Sequence, residues 1–165
     1  MSKKIAKKAI KKAKASIPKK TVKKFAAKVV AQKTVEKTAQ KHICRITKND
    51  PVREQRIDWE IVVDTHDSEE RAMGWHCSIE DTVENNVRCR CRKTRSMSPL
   101  TVGEEVDVLE VAPADDCESE IFVFVQWNDR TLAVPLEQLE PIGGDPKAIE
   151  VVEDWLYWRL MGYEF

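Results

Sequence analysis

The chain has 165 residues, 42% of them apolar, with five Trp, which suits one domain plus an appendage and is too short for several domains. Its formal net charge is zero, yet residues 1–48 hold 17 Lys/Arg and one acid, Glu36, for a net +16, while residues 49–165 hold 11 Lys/Arg and 27 Asp/Glu, for a net −16. A uniformly basic or uniformly acidic protein is thereby excluded: the first part seeks polyanions and the second seeks cations.

Residues 1–48 are expected to form a Lys-rich tail. Lys pairs recur at 3–4, 7–8, 11–12, 19–20 and 23–24, with Ala, Val and Thr between them and no Gly. From Val22 the apolar residues fall at 22, 25, 26, 29 and 30, the spacing of an amphipathic helix. Charge repulsion and short length leave such a helix marginal in isolation, so the tail reads as mostly disordered and helix-prone, with Pro18 as a break. The start, Met1-Ser2-Lys3-Lys4, leads into no apolar stretch of a secretory signal, and no apolar run approaches the ~18 residues of a membrane span. The five cysteines, Cys44, Cys77, Cys89, Cys91 and Cys117, are odd in number. Free thiols in a reduced, cytoplasmic setting are the simplest expectation.

The domain is expected to begin near Asn49-Asp50-Pro51 and to run over residues 49–165. Asp50 can cap a helix that Pro51 starts, and Ile57, Ile61 and Val62 give residues 51–63 an apolar face. Asp67 with Glu70 resembles a capping box, opening a second helix that carries Met73, Trp75, Cys77 and Ile79 toward Val83. After Asn85-Asn86 the period becomes two: Val87, Cys89 and Cys91 alternate with Arg88, Arg90 and Arg92 in a strand. A second strand carries Val106, Val108 and Val111, and a third, buried on both faces, runs from Glu120 to Trp127. Asn128-Asp129 forms a tight hairpin into a fourth strand, Arg130–Leu136. Gly143-Gly144-Asp145-Pro146 ends the sheet and starts a last helix bearing Ile149, Val152, Trp155, Leu156 and Trp158. The fold class is α+β: two helices, a small antiparallel sheet or barrel, and a C-terminal helix.

Carboxylates dominate the available chemistry. They bunch at Asp64-Asp67-Glu69-Glu70, Glu80-Asp81-Glu84, Asp115-Asp116-Glu118-Glu120 and Glu150-Glu153-Asp154. Asp116, Glu118 and Glu120 are spaced by two, so an extended chain aims them to one side. Like charges held close raise one another's pKa, and Ca2+, which accepts six to eight oxygens in irregular geometry, relieves them. On composition alone a solvated acidic loop is the simpler reading. No EF-hand loop is present. Cys89 and Cys91 at alternate strand positions read as inward thiols rather than zinc ligands, whose pairs are usually spaced by two to four residues. Arg88, Arg90, Arg92, Lys93 and Arg95 form a basic face that pairs with a neighbouring strand more readily than it stacks on nucleic acid. No nucleophile elbow, Gly-rich phosphate loop or triad context for the three His exists, so no enzymatic activity is expected.

Several segments carry a resemblance: Ile61-Val62-Val63-Asp64, Ser68–Trp75, Ile79-Glu80-Asp81, Ser98–Val106, Asp115-Asp116-Cys117-Glu118, Leu132–Pro141, and the C-terminal residues Ile149-Glu150, Glu153-Asp154-Trp155, Trp158 and Gly162–Phe165. In this order they resemble the small acidic bacterial calcium-binding proteins of the CcbP type, over about residues 53–165. The resemblance implies an SH3-like sheet with flanking helices, calcium held by carboxylates outside any EF-hand, and no catalysis. This chain departs from the family pattern at His76-Cys77-Ser78 and at Thr82–Val87, and the tail lies outside the pattern. Local charge together with the matched segments selects Glu80, Asp81, Asp115, Asp116, Glu118 and Glu120 as the expected calcium ligands. The functional expectation is a calcium sensor or buffer whose basic tail tethers it to nucleic acid. The alternative is a nucleic-acid-associated protein in which the tail binds phosphate backbone and the acidic domain is an interaction module.

Overall fold

The protein is described from a computed structural model, covering Lys37, residues 49–83 and residues 87–165. The sequence expectations for Pro18, for the Val22–Val30 face and for the Asn85-Asn86 turn lie outside the described residues. Among the described residues, no helix is long and apolar enough to cross a membrane.

Helix α1 spans Pro51–Arg56, with the Asp50 carboxylate accepting from the Arg53 N–H at 3.2 Å and Pro51 in the first turn. It does not run on as regular α-helix to residue 63. It widens into a π-turn over Ile57–Ile61, closed by the Val62 N–H on the Ile57 carbonyl at 3.0 Å. The widening keeps Ile57 and Ile61 on one side, both buried, and the chain then leaves the helix through Asp64 at φ 57°.

Helix α2 spans Ser68–Val83. Its start is a capping box shifted by one residue: Asp67 Oδ1 accepts from the Glu70 N–H at 2.9 Å, and the Glu70 carboxylate accepts from the His66 N–H at 2.6 Å. The buried stripe is Trp75, Ile79 and Val83, with Ala72 and His76 beside it. The expected face of Met73, Trp75, Cys77 and Ile79 is corrected in part, because Met73 and Cys77 are exposed. Those four residues alternate with period two, which suits a strand. At 100° per residue, positions 73 and 77 lie far around the helix from 75.

The sheet has five strands in the order β4-β3-β2-β1-β5, every pair antiparallel: β1 Val87–Cys91, β2 Glu105–Val111, β3 Phe122–Trp127, β4 Arg130–Pro135 and β5 Leu139–Gly144. Cys89 and Cys91 face inward and are fully buried. Asn128 and Asp129 take left-handed φ values of 45° and 60°, the signature of the two-residue hairpin that pairs Trp127 with Arg130. The fifth strand corrects the four-strand expectation. It is an edge strand containing Pro141 and two glycines, residues poor in strand propensity, and its register against β1 shifts between Arg88 and Cys89. The third strand also differs from a continuous buried run: Val123 and Val125 are fully buried while Phe122, Phe124 and Trp127 are only partly covered.

Helix α3, Pro146–Leu160, is capped by Asp145, whose Oδ1 accepts from the N–H groups of Lys147 and Ala148. Its buried face joins that of α2: the Trp75 ring meets Trp155 edge-on at 5.2 Å and Trp158 at 5.8 Å. Gly74 marks where α2 meets the π-turn, because a Cβ there would collide with the Ile61 carbonyl. Gly74→Ala is therefore expected to destabilise the protein, against the gain of about 1 kcal/mol that Ala normally brings to a helix interior. A lowered midpoint in urea unfolding checks this, and a raised midpoint would refute the close approach.

Candidate cation site

Three sets of carboxylates in the domain are already committed to Arg and Lys. On α3, Glu150, Glu153 and Asp154 pair with Arg53 and Arg56 of α1, Asp154 accepting from Arg56 Nε and Nη2 at 2.7 Å each. Across the outer face of β1 and β2, Arg88 pairs with Glu105 at 3.2 Å and Arg90 with Glu105 at 3.5 Å, so this basic face is matched by the neighbouring strand's acids. A third set joins Lys93 and Arg95 to Glu137, and Arg95 to Glu120. Burial tends to raise the Glu137 carboxyl, but Lys93, Arg95 and Arg92 outweigh it and hold the group below its usual range.

That third set removes Glu120 from the expected alignment. Its carboxylate takes both Arg95 Nη atoms, at 3.1 and 2.6 Å, and burial pushes its pKa up against that partner. The link between β2 and β3 is not extended, as even spacing of the acids suggested. Ala114–Asp116 form a 3-10 turn and Cys117 turns inward, leaving Asp115, Asp116 and Glu118 exposed.

Asp115 and Glu118 face α2 across an open cleft of about 360 Å3. Ser68, Glu69, Ala72, Met73 and His76 form the helical side, and Ala114, Asp115 and Glu118 the loop side. Glu69 sits in the first turn of α2. The side chains of Asp115, Glu118 and Glu69 form no hydrogen bond or ion pair with the described residues. Glu80 stands one turn beyond His76, with its carboxylate 3.7 Å from His76 Nδ1. Asp81 lies apart, lining a second cleft of about 270 Å3 with Arg56, Glu60, Lys147 and Glu150. The six expected ligands are thus divided. Asp115 and Glu118 share a cleft, Asp116 and Glu80 stand near it, Asp81 belongs elsewhere and Glu120 is held by Arg95. Glu69 and His76 were missed as site residues. Glu69 belonged to an acidic bunch visible in the sequence, but nothing local tied that bunch to the one at 115–118.

Among the described residues, no three His, Cys, Asp or Glu side chains converge as placed to hold a metal ion. The donors around the cleft are nevertheless carboxylate oxygens on exposed, rotatable side chains, the chemistry that Ca2+ accepts in irregular geometry. Soft-metal chemistry has little to work with. Burial, with Glu140 and Asp107 nearby, pushes the Cys89 thiol up to about 12, and burial likewise raises Cys91 and Cys117, so all three stay protonated.

The fold is a small α+β domain with a cleft lined by carboxylates. The sequence model of the CcbP family, described as calcium binding, matches residues 55–159. The chain belongs to this family, and calcium is the family's ion. It is similar to the crystal structure of Anabaena CcbP, with 37% identity over 72% of this chain and 97% of that one, at a TM-score of 0.62. It is similar, again at 37% identity, to a calcium binding protein in the calcium-binding form, over 72% of this chain and 98% of that one, at a TM-score of 0.61. No curated protein sequence matches the chain.

Proposed function

We propose that this protein is a non-enzymatic cytoplasmic calcium sensor or buffer, and that residues 49–165 form its binding domain, with the ion held in the cleft between α2 and the loop before β3. The observation that carries this reading is the distribution of carboxylate partners. The acids of α3, of the sheet face and of the Arg95 set are neutralised by Arg and Lys, whereas Glu69, Asp115 and Glu118 line one cleft with no cationic partner among the described residues. Three negative charges around one open space repel one another, and a divalent ion bound there removes that repulsion. Asp115, Glu118 and Glu69 would hold the ion, with Asp116 and Glu80 adding charge from the rim. Calcium would supply the positive charge, and the protein supplies carboxylates from two sides of the cleft.

The test is calorimetric titration of the full chain with Ca2+ and Mg2+ at physiological ionic strength. Ca2+ is expected to bind in preference to Mg2+, which demands a stricter octahedron and gives up its water reluctantly. The double variant Asp115→Asn/Glu118→Gln is expected to lose at least about tenfold in calcium affinity while its calcium-free form melts at the same or a higher temperature, because repulsion is relieved. Unchanged calcium affinity would place the ion elsewhere.

The tail favours a second activity. Residues 1–41 carry 15 Lys against one Glu, with a single aromatic, Phe25, so phosphate contact is available and base stacking is not. The tail is read as a non-specific nucleic-acid tether that calcium binding does not require. In a gel-shift series, log K is expected to fall linearly with log salt, by roughly 0.9 per phosphate contacted on duplex DNA. Removal of residues 1–41 should abolish the shift and leave calcium affinity in place. Preference for anionic vesicles over DNA would instead make the tail a membrane anchor.

A further inference from the structure

We propose that His76 is a positioning residue for the calcium cleft. By joining α2 to the base of the acidic loop it fixes the separation between Glu69 and the Asp115/Glu118 pair, and so sets the preference for Ca2+ over Mg2+. This rests on the reading of that cleft as the calcium site.

His76 is buried, with its Nε2 2.9 Å from the Ala112 carbonyl oxygen. A carbonyl oxygen only accepts, so Nε2 carries the hydrogen and the ring is held in one orientation. Ala112 is the residue from which the acidic loop departs. The loop is closed on itself: the Ala112 N–H donates to the Phe122 carbonyl at 2.9 Å, the Asp116 and Cys117 N–H groups fold back on Pro113 and Ala114 at 2.9 Å, and the Phe122 N–H reaches the buried Cys117 Sγ at 3.4 Å. The loop is therefore shaped before any ion arrives, and the His76 hydrogen bond ties that shaped unit to the helix bearing Glu69. The ring joins the helical side to the loop side and itself lines the cleft.

A fixed gap discriminates between cations by size. Ca2+ takes oxygen ligands at roughly 2.3–2.6 Å and tolerates irregular geometry, whereas Mg2+ needs them at roughly 2.0–2.1 Å in an octahedron. Walls held apart favour the longer oxygen distances of the larger ion. A residue that orients ligands without touching the metal typically changes affinity by about 10–100-fold when removed.

Titration of the full chain with Ca2+ and with Mg2+ tests this in three variants. His76→Phe keeps a buried ring and loses the donor. His76→Gln places an amide N–H near the position of Nε2, and His76→Asn places one nearer Nδ1. His76→Phe and His76→Asn are expected to lose about tenfold in calcium affinity, with a smaller change for Mg2+, so that the Ca2+/Mg2+ ratio falls. His76→Gln is expected to restore both the affinity and the ratio. A native ratio in His76→Asn, or a Gln variant no better than the Asn variant, would overturn the proposal, and the Gln/Asn pair decides the matter even where Phe disturbs folding. The two readings fail separately. If Asp115→Asn/Glu118→Gln keeps full calcium affinity, the cleft is not the site and both fall. If that double variant loses calcium while the His76 series keeps the native ratio, only the positioning role falls.

Discussion

Replacing Asp154 with Ala is expected to destabilise the protein by about 3–5 kcal/mol, the range seen when one partner of a buried ion pair is removed. Asp154 is fully buried on α3, yet its two oxygens take both arms of the Arg56 guanidinium at 2.7 Å, with Arg53 Nε 3.3 Å away. The pairing holds the Arg56 guanidinium charged, above its usual range, while burial pushes the Asp154 carboxyl up in spite of it. Desolvation has therefore consumed much of what the attraction supplies. The pair contributes little net stability, but a single deletion is costly: with Ala at 154, two guanidinium groups, mostly covered by protein, lose their most buried anion, and Arg56 is left with the half-exposed Glu150 and Arg53 with Glu153. The double change Arg56→Met/Asp154→Leu, which removes both charges and restores volume, is expected to cost far less than the single one. Urea unfolding of the two variants measures this. A single variant within about 1 kcal/mol of the native protein would show that α1 does not depend on this pair.

This pair also shows which part of the molecule was legible in the sequence. Asp154 was visible as one of an acidic bunch, and Arg56 lies within the expected first helix, but they are 98 positions apart and no periodicity joins them. The same limit divided the expected ligand set. Local pattern placed Asp50, Asp145 and the Asn128-Asp129 turn correctly, because caps and tight turns are decided within four residues. It placed Cys89 and Cys91 inward because strand alternation is equally local. It failed where a long-range partner decides the outcome. Glu120 looked like its neighbours Asp116 and Glu118 until Arg95 folded onto it, and β5 became a strand only because β1 offered it an edge. Glu69 became a candidate ligand only when the loop before β3 was brought against α2. Acidic composition alone left a solvated loop as the simpler reading, and the family resemblance pointed to calcium. Which acids remain available is set by where the arginines land.

Replacing Trp75 with Ala is expected to cost about 3–5 kcal/mol through lost burial and the cavity left behind. Trp75 is wholly buried and its ring joins α2 to α3 through Trp155 and Trp158, so its removal opens the helix–helix contact at its centre. Trp75→Phe separates packing from polarity. The Trp75 indole N–H has no hydrogen-bond partner among the described residues, so Phe forfeits some contact area and no hydrogen bond to them, and is expected to cost clearly less than Ala. Trp59 is the control: at 72% exposed, its change to Ala should stay within about 0.5 kcal/mol. Denaturant midpoints at an unchanged slope measure all three. Equal losses in the Trp75→Ala and Trp59→Ala variants would show that the indole cluster does not hold α2 in place. The consequence for function follows from chain position. Trp75 immediately precedes His76 and lies in the helix whose first turn carries Glu69, so a loosened α2 moves one wall of the cleft against the other. Calcium affinity in Trp75→Ala is therefore expected to fall even under conditions where the protein remains folded, whereas Trp59→Ala should bind the ion as the native chain does.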